Sequence, residues 1–240
     1  MLPLNRRLAE AFMRSHPEVA VLVEGGGTGV GVEALVARRV DLAAASRPFT
    51  PDEIRALHER FETLGLRFLV ARDALSVYIH PSNPIRELTL DQLRAVFSGE
   101  TGRWSEVGGP DEPITVVIRP PNSGTFRFFR DHVLRDVNYS ATAVTVSRTR
   151  DVVEAVRDRP NAIGYGAVIY GTDLPRVRVD GEEASVENVR DGDYPLARYL
   201  YFYATSTPEG TTKEFLDWCV GPEGQAVVAD VGFVPLWIHG

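Results

Sequence analysis

Very little in these 240 residues could form a cross-link, bind a metal or anchor in a membrane. There is one cysteine, Cys219, so no internal disulfide can form, and the fold must rest on its cores. Set among Phe215, Leu216, Trp218 and Val220, the thiol reads as a core residue rather than a nucleophile. It is silent on compartment, because many exported proteins also lack bridges. No apolar run approaches the roughly 20 residues that span a bilayer, and the start Met1-Leu2-Pro3-Leu4-Asn5-Arg6-Arg7 lacks the apolar stretch of a signal peptide. Basic residues are outnumbered, 26 to 33, for a formal charge of −7, which argues against broad nucleic-acid binding. The five histidines, His16, His58, His80, His132 and His239, show no metal-ligand spacing, so no metal or cofactor is expected. Asp131-His132 reads as a solvated pair on a helix. Repeats, heptads and low-complexity tracts are missing too.

What the chain does have is an alternation of apolar runs and helical periodicities. Leu4, Leu8, Ala11 and Phe12 predict an opening amphipathic helix. Val19 to Val23 then reads as a buried strand, the glycine run Gly25 to Gly31 as a junction into a helix through Val32 to Arg38, and Asp41 to Ala45 as a second strand. Thr50-Pro51-Asp52-Glu53 and Thr89-Leu90-Asp91-Gln92 are capping boxes that fix two helix starts. Phe68 to Ala71 and Leu75 to Ile79 read as strands broken by Arg72-Asp73. Beyond Ile114 to Ile118, the pattern predicts a helix carrying Phe126, Phe129, Val133 and Leu134, a strand over 143–146 and a helix over 149–157. Strands at 161–165, 177–179 and 199–204 follow, then a helix capped at Thr211. The fold class is therefore α/β, with a largely parallel sheet in each of two lobes.

Two junctions carry the chemistry. At each, an apolar run meets a helix start rich in small and hydroxyl side chains, where unpaired backbone N–H groups and the helix dipole favour an anion. In Arg119-Pro120-Pro121-Asn122-Ser123-Gly124-Thr125, Arg119 offers a positive fork, Ser123 and Thr125 offer hydroxyls, and Gly124 allows close backbone approach. That set suits a tetrahedral oxyanion; equally, Ser123 serves as a simple N-cap. The glycine run is neither a P-loop, because Gly31 is followed by Val32-Glu33 rather than Lys and a hydroxyl, nor a dinucleotide fingerprint, because Val32 stands at the third glycine's place and Asp41 comes too early. It is also compatible with a purely structural turn. Ser123 lacks a nucleophile elbow, since Pro121 and Thr125 occupy the elbow's glycine positions. No catalytic residue is assigned.

Taken in order, these segments resemble the phosphate-binding proteins of bacterial phosphate ABC transporters, within the periplasmic binding protein superfamily. The resemblance is carried by the glycine run, Val40-Asp41-Leu42-Ala43-Ala44-Ala45-Ser46-Arg47-Pro48, and His80-Pro81-Ser82-Asn83-Pro84. Leu88 to Leu93, Phe97-Ser98-Gly99, Trp104 to Gly109 and the Arg119 to Thr125 motif continue it. Ala162-Ile163-Gly164-Tyr165, Tyr194-Pro195-Leu196 and Gly232 to Leu236 complete it. It implies two lobes, residues 1–75 with 200–240 and residues 76–199, joined by two crossing strands, with the ligand between them. It also implies a non-enzymatic capture of phosphate or a similar oxyanion for a membrane ABC permease, at the periplasm or cell surface. The family's R-x-x-x-S-G-T motif carries over to Arg119, Ser123, Gly124 and Thr125, and the hydroxyl of its glycine loop to Thr28.

The resemblance also implies two departures. Arg47 stands where well-studied members carry an aspartate that accepts from protonated phosphate, and a guanidinium can only donate. Facing the ligand, Arg47 would favour a dianion; facing solvent or a carboxylate such as Glu24, it would be structural. Second, Met1 falls just past the family's first strand and its Gly-Ser/Thr loop, so a missing strand would expose a sheet edge and favour association. Two other readings stay open: a sensor or interaction module with a weakened anion site, and a serine hydrolase needing a base near Ser123.

Overall fold

A computed structural model describes residues 1–237. In chain order the elements are α1 (Leu2–Ser15), α2 (Thr28–Val36), β1 (Ala43–Ala45), α3 (Pro51–Phe61), β2 (Leu66–Ile79) and β3 (Glu87–Leu88). Then come α4 (Leu90–Ser98), β4 (Thr115–Ile118), α5 (Gly124–Phe129), β5 (Val144–Thr145), α6 (Thr149–Arg157), β6 (Ala162–Ala167) and β7 (Arg176–Val179). The last are α7 (Val186–Asp191), β8 (Ala197–Ala204), α8 (Gly210–Val220) and α9 (Pro222–Asp230). The chain forms two compact units, one of residues Met1–Arg72 with Tyr199 onward, the other Asp73–Arg198.

The first unit is built on an antiparallel ladder in which Ala43 to Ala45 of β1 pair with Tyr203 to Tyr201 of β8. Val32 and Leu35 of α2, Leu57 of α3, Phe49 and the inward face of β8 close over it as one apolar cluster. Phe49 stacks on Tyr203, ring centres 3.6 Å apart, and its N–H donates to the Tyr203 hydroxyl. Leu4, Leu8 and Phe12, spaced to share one face of α1, are fully buried, and Phe12 meets Phe215 and Trp218 of α8 edge-on. Cys219 lies in this core.

The second unit is a mixed sheet. Leu75 to Ile79 of β2 run antiparallel to β6, which is parallel to β4, which is parallel to β5. β7 pairs antiparallel with β2 and parallel with β3. Parallel pairing, the expected majority, holds around β4 and between β3 and β7, while the pairs made by β2 and β8 are antiparallel because these are passing strands rather than halves of βαβ units. Helix α6 packs on β4 and β6 through Val152, Val153 and Val156. It does so at glycine distance: a Cβ on Gly164 would lie 2.5 Å from Val152 Cγ1, and one on Gly166 would lie 2.3 Å from Thr149 Cγ2.

Four local expectations change. Val19 to Val23 is not a strand: Leu22 is 91% exposed, Val19, Val21 and Val23 are half-buried, and the segment makes no ladder among the described residues. An apolar run is insufficient without partners for its backbone groups. β2 is continuous through Arg72-Asp73, because Arg72 bridges Val234 and Asp73 is neutralised by an arginine. The helix at Phe126 ends as α and widens into a π turn over Arg130–Leu134, where Arg135 N–H bonds Arg130 O. Finally, α8 begins at Gly210 behind Glu209 with no side-chain cap, rather than at Thr211. Both capping boxes form as read, with Thr50 and Thr89 accepting from the N–H groups of Glu53 and Gln92.

Candidate functional site

In the second unit β4 delivers Arg119 to a short loop that turns back into α5. Pro120 and Pro121 stiffen this loop, Ser123 N–H closes it on Pro120 O at 2.9 Å, and Arg127 Nε pins it from α5 through Pro121 O at 3.0 Å. Ser123 caps α5, its Oγ accepting from Phe126 N–H at 3.4 Å. Ser123, Gly124 and Thr125 are buried, with Thr125 placed on the first turn. The helix is seated by an aromatic stack: Phe129 lies on Tyr165 with ring centres 4.0 Å apart, and Tyr139 O–H donates to Phe126 O at 3.0 Å. Burial raises the pKa of Tyr139 and Tyr165, whose hydroxyls meet at 2.6 Å, so both phenols stay neutral.

Arg119 is half-buried and held from one side. Its Nη1 donates to Thr149 Oγ1 at 2.8 Å, while Nε is buried with no hydrogen-bond partner among the described residues. Burial lowers its pKa, and the nearby Arg198 charge adds to that, against the opposing effects of Tyr165, Tyr170 and Asp151. A guanidinium paying this desolvation without a carboxylate partner gains most from an anion brought to it. Arg119, Ser123, Gly124 and Thr125 thus share one loop and helix start.

Thr28 and Arg47 belong to the first unit. Gly26 and Gly27 take φ of +147° and +91°, a left-handed turn that opens α2 at Thr28, and a Cβ on Gly26 would strike Val30 at 2.7 Å. Thr28 is buried, and its Oγ1 accepts from Ser46 N–H at 3.3 Å, which leaves the hydroxyl proton available. Arg47 is committed elsewhere. Its Nη1 and Nη2 donate to Glu53 Oε2 and Oε1 at 2.7 and 2.6 Å, and Nη1 also reaches Pro48 O at 2.8 Å. Of the alternatives set out above, a carboxylate partner is the one observed, and it is Glu53 rather than Glu24.

Several residues at the site carried no motif. Thr149 steadies Arg119, and Arg198 and Asp73 form a buried pair whose arginine reaches Thr125 at 3.2 Å. The signal for the pair was a charge inside each of two apolar strands, Val70-Ala71-Arg72-Asp73-Ala74-Leu75 and Leu196-Ala197-Arg198-Tyr199-Leu200, since a charge buried in a strand requires an opposite one. Asp131 and His132 do not act together: Asp131 pairs with Arg130, while His132 stacks on Phe128 and bonds its carbonyl. His239 lies outside the described residues. Among the described residues no group of His, Cys, Asp and Glu could hold a metal ion, and no histidine or lysine bonds Ser123.

A family model described as the PBP superfamily domain matches residues 1–223. The chain belongs to that superfamily. Within it, the phosphate-binding protein PstS of Bacillus subtilis (strain 168) is 30% identical over 243 residues, covering 98% of this chain and 78% of the relative. At that likeness this PBP-superfamily chain is a member of the phosphate-binding protein family. PstS of Pseudomonas aeruginosa PAO1 is 27% identical over 95% of the chain and 78% of its own length. Among solved structures, a phosphate ABC transporter substrate-binding protein with bound phosphate from Clostridium perfringens superposes with a TM-score of 0.90 at 27% identity, covering 98% of this chain and 96% of that one. An ABC-type phosphate transport receptor from Vibrio cholerae, 24% identical with a TM-score of 0.81, shares the fold.

Proposed function

We propose that the chain is a solute-binding protein that captures phosphate and passes it to a membrane ABC importer. The observation that carries the reading is the Arg119 to Thr125 loop: a half-desolvated guanidinium without a carboxylate, two buried hydroxyls and a glycine at one helix start, in a chain whose relatives are phosphate-binding proteins. Arg119 supplies the charge, Ser123 and Thr125 supply hydroxyl donors, and Gly124 admits the ligand to the backbone. Thr28 is proposed as a hydroxyl donor to the ligand, and Arg47 as holding its own loop. Such a protein works outside the cytoplasmic membrane. Among the described residues no helix is long and apolar enough to cross it.

Isothermal titration calorimetry with phosphate and sulfate tests the assignment. Phosphate should bind with measurable heat, and Arg119→Met should weaken it at least ~30-fold, the loss of about 2 kcal/mol from a charged hydrogen-bonding partner. A folded protein that gives no heat with either anion would overturn the reading.

A further inference from the structure

Arg198 is a buried cation already neutralised. Its Nε and Nη2 donate to Asp73 Oδ2 at 2.9 and 2.6 Å, and both side chains are under 5% exposed. Asp73 Oδ1 takes no hydrogen bond among the described residues, so the carboxylate is spent on this arginine. The third arm reaches the ligand loop: Nη1 donates to Thr125 Oγ1 at 3.2 Å. The guanidinium carbon also lies 5.5 Å from the ring centre of Phe128, three residues further along α5 on the same helix face. Carboxylate, ring and hydroxyl thus hold the guanidinium on three sides.

The direction of one proton follows from this. A guanidinium donates and cannot accept. The Thr125 hydroxyl, accepting from Arg198, cannot return its own proton there, and no carbonyl or carboxylate among the described residues receives it. With one lone pair occupied, the hydroxyl also loses rotational freedom, so less order remains to be imposed when a ligand arrives. Because the argument rests on the phosphate-binding reading, the acceptor is a phosphate oxygen. We propose that Arg198, clamped by Asp73, is a positioning residue that fixes the Thr125 hydroxyl as a donor to the bound oxyanion. Arg198 itself acts through Thr125 and does not touch the ligand.

A double-mutant cycle read by phosphate calorimetry at pH 7.5 separates this role from a structural or direct one. Arginine and aspartate are removed together, as Arg198→Met/Asp73→Asn, so that no lone charge is left buried. Thr125→Val should weaken phosphate binding about 10- to 50-fold, as loss of a hydrogen bond to a charged group does. Arg198→Met/Asp73→Asn should weaken it about 10-fold while Thr125 is present, but no more than about threefold when added to Thr125→Val. If the combined variant instead shows the product of the two separate losses, or if Arg198→Met/Asp73→Asn binds as tightly as the wild type, the positioning role is wrong. Circular dichroism checks folding throughout; should the paired variant not fold, Arg198→Lys replaces it in the same cycle, keeping the charge on Asp73 while losing the fork. A folded wild type that gives no heat with phosphate brings down the phosphate reading together with this inference, whereas multiplicative losses bring down the inference alone.

Discussion

Glu53→Ala is expected to be strongly destabilising, although Glu53 sits on the first turn of a helix with a single buried residue, Leu57. Two contributions add. The carboxylate holds Arg47 through both terminal nitrogens, at 2.7 and 2.6 Å, with the arginine side chain 4% exposed and the glutamate 14%. Removing one partner of a buried pair costs about 3–5 kcal/mol, and the slight exposure of Glu53 points to the lower end, about 3. The same carboxylate accepts from Thr50 N–H at 2.8 Å and completes the capping box of α3, worth about a further 1 kcal/mol. A loss of about 4 kcal/mol should be visible as a reduced urea midpoint with unchanged m-value, followed by far-UV circular dichroism. The paired swap Arg47→Met/Glu53→Leu, which leaves no charge behind, should return to within about 1 kcal/mol of the wild type apart from the cap. It should also keep phosphate affinity within about twofold, because Arg47 offers no free terminal nitrogen. A cost for Glu53→Ala below about 1 kcal/mol would refute the energetics, and a tenfold loss of phosphate affinity in the folded paired swap would return Arg47 to the ligand.

Two further outcomes follow from the second unit. Gly166→Ala would place a methyl carbon 2.3 Å from Thr149 Cγ2 and 3.2 Å from Tyr78 Cε2; the resulting shift of α6 should cost about 1–3 kcal/mol and weaken phosphate binding by moving the partner of Arg119, read by thermal melting and calorimetry together. Tyr78, Tyr139, Tyr165 and Tyr194 all have pKa values raised by burial. Above the ordinary phenol range the unfolded chain loses protons that the folded one retains, so their contribution is complete below about pH 10 and declines as pH rises beyond it. Absorbance at 295 nm should therefore show these phenols titrating only together with alkaline unfolding; early, reversible titration of all eight tyrosines would contradict their burial.

Legibility in the sequence tracked how local the physics is. The capping boxes at Thr50 and Thr89 and the helix over Thr149–Arg157 were readable because their hydrogen bonds close within four residues. The Arg119 to Thr125 loop was readable as a candidate for the same reason: its turn, cap and hydroxyls are contiguous. What sequence could not supply were partners fixed by tertiary contact. Val19 to Val23 carries a strand's composition but no ladder. Arg72-Asp73 looked like an interruption because Val234 and Arg198, which satisfy it, lie over a hundred residues away. Arg47 was legible as an anomaly while its partner was not, since Glu53 had already been given a complete role in the capping box.

The pair that steadies Thr125 also ties off a chain segment. Asp73 and Arg198 are the first and last residues of the second unit, and their side chains meet at 2.6 Å. Leu75 N–H and Leu196 O bond just inside them at 3.0 Å. A segment whose two ends are fastened to each other by its own side chains has the form of an insert, entered and left at one place. Residues 73–198 accordingly begin and end at one clasp, made by the same arginine that bonds the Thr125 hydroxyl.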